Sequence, residues 1–484
     1  MKLLASQPKP FYLIFFIEIW ERFGFYGLQA LIVLYMVQGL HYTDHRADLM
    51  VSGFVALAYL LPCAGGLIGD RVLGTKRSII LGAIILAIGY LVLSLPLSSP
   101  HVLVWALATI VVGNALFKPN PSSLLSKVYD GTNQNRDSGF TLYYMAINIG
   151  SVVSMTLTPI LNRYYGWHAA FIACFGGLIL ALLSYVLLRK TVADVGSKPD
   201  FEPIRWNYLF YVVAGCSAAI VISFWLLTHH SIMTLIIALG IIFFVSFFIY
   251  EAYRAKPKER AGMVLFLLLF SQAIVFFTCY FQMPMSLNLF ALRNVEHTLL
   301  GLHVEPAQFQ ALNSFWILVM SPVLASMYQK WSKNKKDPSM PTKFTVGTLL
   351  AGLGYMILPI GAYFSTQGIV SSWWLVLAYL FLSTGELLVS ALGLSLAAKY
   401  IPQRFMGYGM GLWYLAISVG GVLAGKVSSF ASIPHNISSD PALSLPVYTH
   451  VFLWLGLGTA GVSFIMLLFV PYLKRLGDRS ITPG

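Results

Sequence analysis

Fourteen apolar segments, each long enough to cross a bilayer, fill this sequence almost from end to end. They lie near 10–39, 46–72, 77–96, 101–127, 138–164, 168–188, 207–228, 231–253, 261–291, 307–331, 343–365, 371–400, 403–432 and 446–473. Backbone that crosses hydrocarbon must satisfy its own polar groups, so these segments are predicted helices and the chain an all-α polytopic membrane protein. At 484 residues two or three soluble domains would fit, but 58% hydrophobic and 10% charged residues exclude them. No cleavable leader is expected, because Lys2 and Lys9 run straight into a long span without a small-residue cleavage site.

The charge is distributed by side rather than by patch. With the N-terminus inside, the inside connections hold 25 of the 31 lysines and arginines, in runs such as Arg71 to Arg77 and Arg189 to Arg205. The outside connections hold only Arg46, Arg163 and Arg293. That asymmetry predicts both termini in the cytoplasm. The net charge of +13 then reads as topological anchoring on anionic lipid, not as a nucleic-acid surface. The four cysteines sit in apolar segments without ligand spacing, and all ten histidines fall in or beside outside loops. No metal or cofactor is expected, and any mid-membrane proton carrier must be a carboxylate.

Loop composition divides the chain into three parts. Residues 1–190 form a six-helix bundle, and 191–258 hold cytoplasmic linkers around an inserted hairpin with a tight turn at His229-His230. Residues 259–484 form a second six-helix bundle. Repeated halves of this kind place a substrate site at mid-membrane between them.

Ionisable groups inside spans mark function by default. The first span carries Glu18, Glu21 and Arg22, with Tyr26 a turn further on and Gln29 seven residues past Arg22. Helical spacing makes them one stripe, which is either a buried ion pair fixing helix packing or a site for ions or substrate. Lys118, in Phe117-Lys118-Pro119-Asn120-Pro121, lies inside the level that Lys127 marks and needs a carboxylate partner. Tyr144, Asn148 and Ser151 share one face, where an amide either ties helices together or holds a substrate's peptide group. Glu386 is a mid-span acid with no base within a turn, and Trp413 with Tyr414 either packs the core or lines a substrate path. Three acids against two bases leave one carboxylate in low dielectric that takes a proton readily.

The Gly65 to Arg77 loop, with Gly66, Asp70, Arg71, Gly74, Lys76 and Arg77, resembles the signature loop of the major facilitator superfamily, whose expected role is a gate latch. Together with Glu18-x-x-Glu21-Arg22-Phe23-x-x-Tyr26-Gly27, Gly113 to Ser123, Tyr143 to Ser151 and Gly385-Glu386-Leu387, it resembles the proton-dependent oligopeptide transporters, over nearly the whole chain. The likeness is greatest to bacterial di- and tripeptide permeases. It implies the major facilitator fold with fourteen helices, a monomer in the bacterial inner membrane, and proton-coupled import of di- and tripeptides. It also implies that Glu18, Glu21, Arg22 and Lys118 couple protons, with Lys118 beside the peptide's carboxyl end. Asn148, Glu386 and Trp413 then line the peptide site, Glu386 facing the amino terminus, and Tyr26, Tyr59, Asn313 and Ser390 are further pocket positions.

Three positions depart from the family pattern: Gln29 stands where arginine is common, Ser271-Gln272 and Cys279 to Gln282 hold no acid, and Ser314 replaces proline. Family members also move nitrate, modified amino acids or drugs, and an efflux antiporter of the superfamily is a further alternative. An enzyme is not expected, since the spans carry no His-Glu-x-x-His, nucleophile elbow or paired aspartates.

Overall fold

The computed structural model describes residues 7–96, 99–129, 136–334, 337–434 and 437–481. Among these, twelve helical stretches are long and apolar enough to span a membrane. One of them, Ser138–Val192, holds two spans hinged at Gly166, whose φ of 83° suits glycine. A further span, α1 (Lys9–Leu34), is set apart only by its mid-helix charges, which brings the spans to the fourteen expected.

Cα packing groups the chain into two units, Met1–His41 with Leu57–His230, and Tyr42–Ala56 with Ser231–Gly484. The division falls at His230, inside the hairpin that the sequence suggested as a separate insert at 191–258. The reason is packing of each hairpin helix on a different neighbour. In the first unit, Phe224 of the helix Trp206–Thr228 stacks on Trp105 at 4.3 Å. In the second, Phe248 of His230–Arg254 packs against Phe266 and Tyr408. Helix α2 (Asp44–Leu60) contributes residues 44–56 to the second unit.

Within the first unit, α1 lies along the helix Arg136–Leu188. Their close approach depends on Gly150, where a Cβ would press on the Ile19 carbonyl. After α2 come α3 (Pro62–Arg71), α4 (Thr75–Ser94), α5 (Pro100–Phe117) and α6 (Pro119–Val128). The span expected over 101–127 is therefore broken at Lys118. Pro119 and Pro121 have no N–H to donate, and the Asn120 amide caps the Leu116 carbonyl at 2.6 Å.

The second unit shows the same habit. The span expected over 261–291 divides into Pro257–Tyr280 and Ser286–Asn294, and that over 371–400 into Ser372–Val389 and Gly393–Tyr400. Its core includes Tyr355, which donates to the Cys279 carbonyl at 2.7 Å. Two of the breaks lie beside charged residues: Lys118 sits at one, and Glu386 lies one turn before another.

Candidate functional site

In the first unit α1 carries a buried charge cluster. Arg22 Nε lies 3.0 Å from Glu18 Oε1 and 2.7 Å from Glu21 Oε2, and all three residues are at most 4% exposed. Two carboxylates thus share one guanidinium. Further oxygens of both glutamates have no aligned hydrogen bond, so the cluster is held by charge more than by directed bonds. Tyr143, buried on Arg136–Leu188, hydrogen-bonds Glu18. In the sequence, the place of Tyr143 four residues before Ile147 carries no signal of its own.

Lys118 does not have the carboxylate partner that its position suggested. Among the described residues it closes no ion pair within 4.0 Å, and its Nζ stands 3.5 Å from the centroid of the Tyr59 ring. The charges of Glu18, Glu21 and Arg22 reach it at longer range. Its amine thus rests on a ring of α2, at the point where Pro119 interrupts the hydrogen-bond ladder between α5 and α6. Tyr26 and Gln29 are half-buried on α1, and Gln29 makes no side-chain hydrogen bond among the described residues. Asn148 is buried and donates one amide N–H to the Tyr144 carbonyl of its own helix at 2.9 Å.

The loop between α3 and α4 is pinned to its own unit. Asp70 pairs with Lys127 at 2.8 Å, and that ammonium also donates to Thr75 Oγ1 and Ser123 Oγ. Gly74 takes φ 101° at the turn. Beyond it, Lys76 Nζ donates to the Val192 and Ala193 carbonyls, and Arg77 to those of Leu73, Pro199 and Glu202. The linker after residue 188 is therefore strapped to the loop, while Gly66 and Arg71 take no part in the pairing.

In the second unit Glu386 is half-buried and accepts from Asn313 Nδ2 at 2.8 Å, and Asn313 also reaches Ser383 Oγ at 3.1 Å. No ion pair closes on Glu386 among the described residues. Ser390 follows one turn later, its N–H on the Glu386 carbonyl. Trp413 lies in the core, 3% exposed, edge-on to Phe277 and Phe344 and filling the space that Gly393 leaves open. Its surroundings are those of a packing residue. Gln282 accepts from Ser286 and donates to the Ala424 carbonyl, so it forms an uncharged bridge within the second unit.

A second buried network was not foreseen. Arg293 grips Asp44 bidentately at 2.6 and 2.8 Å and donates to Tyr448 at 2.6 Å. One turn along α2, Asp48 is 1% exposed and, among the described residues, accepts only from Ser428, its other oxygen having no partner there. Arg293 is thus no solvated loop cation, and Asp48 is a fourth carboxylate inside a span. An acid that opens a helix and another one turn in look like ordinary helix-start residues in sequence, and their partners lie more than 200 positions away.

The pattern described as the POT family matches residues 76–444. The chain belongs to this family. It is 45% identical to the dipeptide and tripeptide permease B of Photorhabdus asymbiotica over 475 residues, covering 98% of this chain and 97% of that one. It is also 45% identical to the dipeptide and tripeptide permease A of Cronobacter turicensis, covering 97% of this chain and 94% of that one. The crystal structure of tetrameric PepTSo2 in space group I4 superposes with a TM-score of 0.87 at 39% identity, covering 97% and 99% of the two chains. This POT chain therefore has the major facilitator fold, is a multi-pass membrane protein, and is a transporter rather than an enzyme.

Proposed function

We propose that this POT protein is a proton-coupled symporter that imports di- and tripeptides across the bacterial inner membrane by alternating access, with both termini cytoplasmic. The observation that carries the reading is the α1 cluster, in which two buried carboxylates share one guanidinium while Lys118 rests on an aromatic ring. A carboxylate that gains a proton there relaxes its hold on Arg22, and the freed charge of Arg22 and Lys118 favours an anionic group. That group is the peptide's carboxylate. The ammonium end goes to Glu386, an acid with a neutral hydrogen-bond donor and no base of its own. Tyr26, Asn148 and Ser390 are assigned to the peptide between its ends, and Trp413 to holding Gly393–Tyr400 in place.

Names of the relatives support the substrate class, and the excess of acids supports the coupling. Each chain carries both clusters, so one chain suffices for transport whether or not copies associate as they do in tetrameric PepTSo2. The test is uptake of a labelled dipeptide into proteoliposomes under an imposed pH gradient and inside-negative potential. Concentrative uptake that a protonophore abolishes is expected. Uptake indifferent to both gradients, or specific for nitrate with no competition by dipeptides, would reject the reading.

A further inference from the structure

A cavity of about 560 Å³ opens in the first unit between α4, the strapped linker and the start of Trp206–Thr228. Its mouth and floor differ in chemistry. The mouth carries Arg71, Arg77, Lys198 and Arg205 against Asp70 and Glu202, four cations to two acids. The acids are already engaged, Asp70 by Lys127 and Glu202 by Arg205 at 3.0 Å. Arg77 is occupied by three backbone carbonyls. Arg71 and Lys198 are exposed and have no hydrogen bond or ion pair among the described residues. The unsatisfied charge at this mouth is therefore positive only.

The floor is apolar, with Leu81, Ile84 and Leu209 on it. It does not stop at the cavity: Ile84, Ile88 and Leu91, spaced by four and three residues, continue as one exposed stripe along α4. They are 42%, 50% and 44% exposed, a degree of apolar exposure that suits hydrocarbon rather than water. A ligand that fits both ends has a phosphate with no amine and a long alkyl chain.

We propose that this cavity binds an anionic phospholipid, its phosphate between Arg71 and Lys198 and an acyl chain along Ile84, Ile88 and Leu91. The placement in the cytoplasmic leaflet rests on the orientation given above, but the binding itself does not. A bound lipid also covers the linker strap, so the loop between α3 and α4 and the lipid belong to one structural element.

Native mass spectrometry of the full-length protein tests this with phosphatidylglycerol and phosphatidylethanolamine of identical acyl chains. A basic residue near an anionic lipid is worth about a fivefold preference, and two partly exposed ones should give roughly tenfold tighter retention of phosphatidylglycerol. Arg71→Gln with Lys198→Gln should erase that preference while the thermal transition stays in place. Glycerophosphoglycerol, the deacylated headgroup, and inorganic phosphate should each fail to displace the lipid. Equal retention of the two lipids, or a preference that survives the double substitution, overturns the proposal. Displacement by phosphate or by the deacylated headgroup overturns it as well, assigning the mouth to a soluble anion. None of these readings depends on transport, so a failed uptake assay leaves them intact.

Discussion

Tyr59→Leu is the sharpest probe of the α1 cluster. The Lys118 ammonium sits 3.5 Å from the centre of the Tyr59 ring, with no ion pair of its own among the described residues, and feels Glu18 and Glu21 at longer range. A partly desolvated cation–π contact is worth about 1–2 kcal/mol, and Lys118 is half-buried. Without the ring, that attraction no longer balances the pull of the two acids, and the amine is drawn toward the carboxylates. A lysine paired internally is less available to a peptide's carboxylate. The same 1–2 kcal/mol then appears as a rise of about five- to thirtyfold in the dipeptide concentration that half-saturates uptake. Tyr59→Phe keeps the ring face and should stay within about twofold of the parent protein. The assay is inhibition of labelled dipeptide uptake in proteoliposomes, run on both variants and repeated in a Lys118→Ala background. There Tyr59→Leu should add nothing, because its effect passes through the amine. Equal losses in Tyr59→Leu and Tyr59→Phe would refute the argument, as would full additivity with Lys118→Ala.

Four further outcomes follow from the same geometry. Glu21→Gln should abolish gradient-driven accumulation but leave counterflow exchange of peptide, both measured in the same vesicles. Glu386→Gln keeps an acceptor for Asn313 but loses the charge; affinity for unblocked dipeptides should fall by roughly 1–2 kcal/mol, with N-acetylated ones unchanged in competition assays. Asp44→Asn leaves Arg293 buried without its counter-charge, a loss of about 3–5 kcal/mol, and should lower the thermal transition in detergent while Arg46→Gln does not. Gln29→Arg should increase the preference for a free over an amidated peptide carboxylate; an unchanged ratio would place Gln29 away from substrate.

Much of this molecule is legible because hydrocarbon is an intolerant solvent. Glu18, Glu21, Arg22 and Glu386 stand out in the sequence since any charge in an apolar span needs a reason, and the spans themselves follow from length and hydropathy. Partners are harder. The sequence places Lys118 inside the membrane but cannot show that its amine rests on the ring of Tyr59, which another helix brings beside it. Asn148 occupies the expected helix face, yet one of its amide N–H groups donates to Tyr144 four residues back, a local choice that spacing cannot distinguish from a contact across helices. Trp413 shows the limit from the other side, because only packing against Phe277, Phe344 and Gly393 reveals how little of it is left to face anything else. Asp44 and Asp48 are inconspicuous in sequence for a related reason: Arg293 and Ser428 come near them only through the fold.

Lys127 donates to Asp70 at 2.8 Å, to Thr75 at 3.0 Å and to Ser123 at 2.8 Å, which commits all three protons of its ammonium. Those acceptors surround a tetrahedral centre. A guanidinium presents its donors in a plane and from a longer stem, so it cannot occupy the same three directions. The exchange of lysine for arginine, neutral by charge and commonplace at cytoplasmic helix ends, is therefore not neutral at this position. Modification of the amine is disfavoured on the same ground, for an acetyl group would need the space of three acceptors at once. A residue that reads as one more positive-inside marker is in this chain a steric specification.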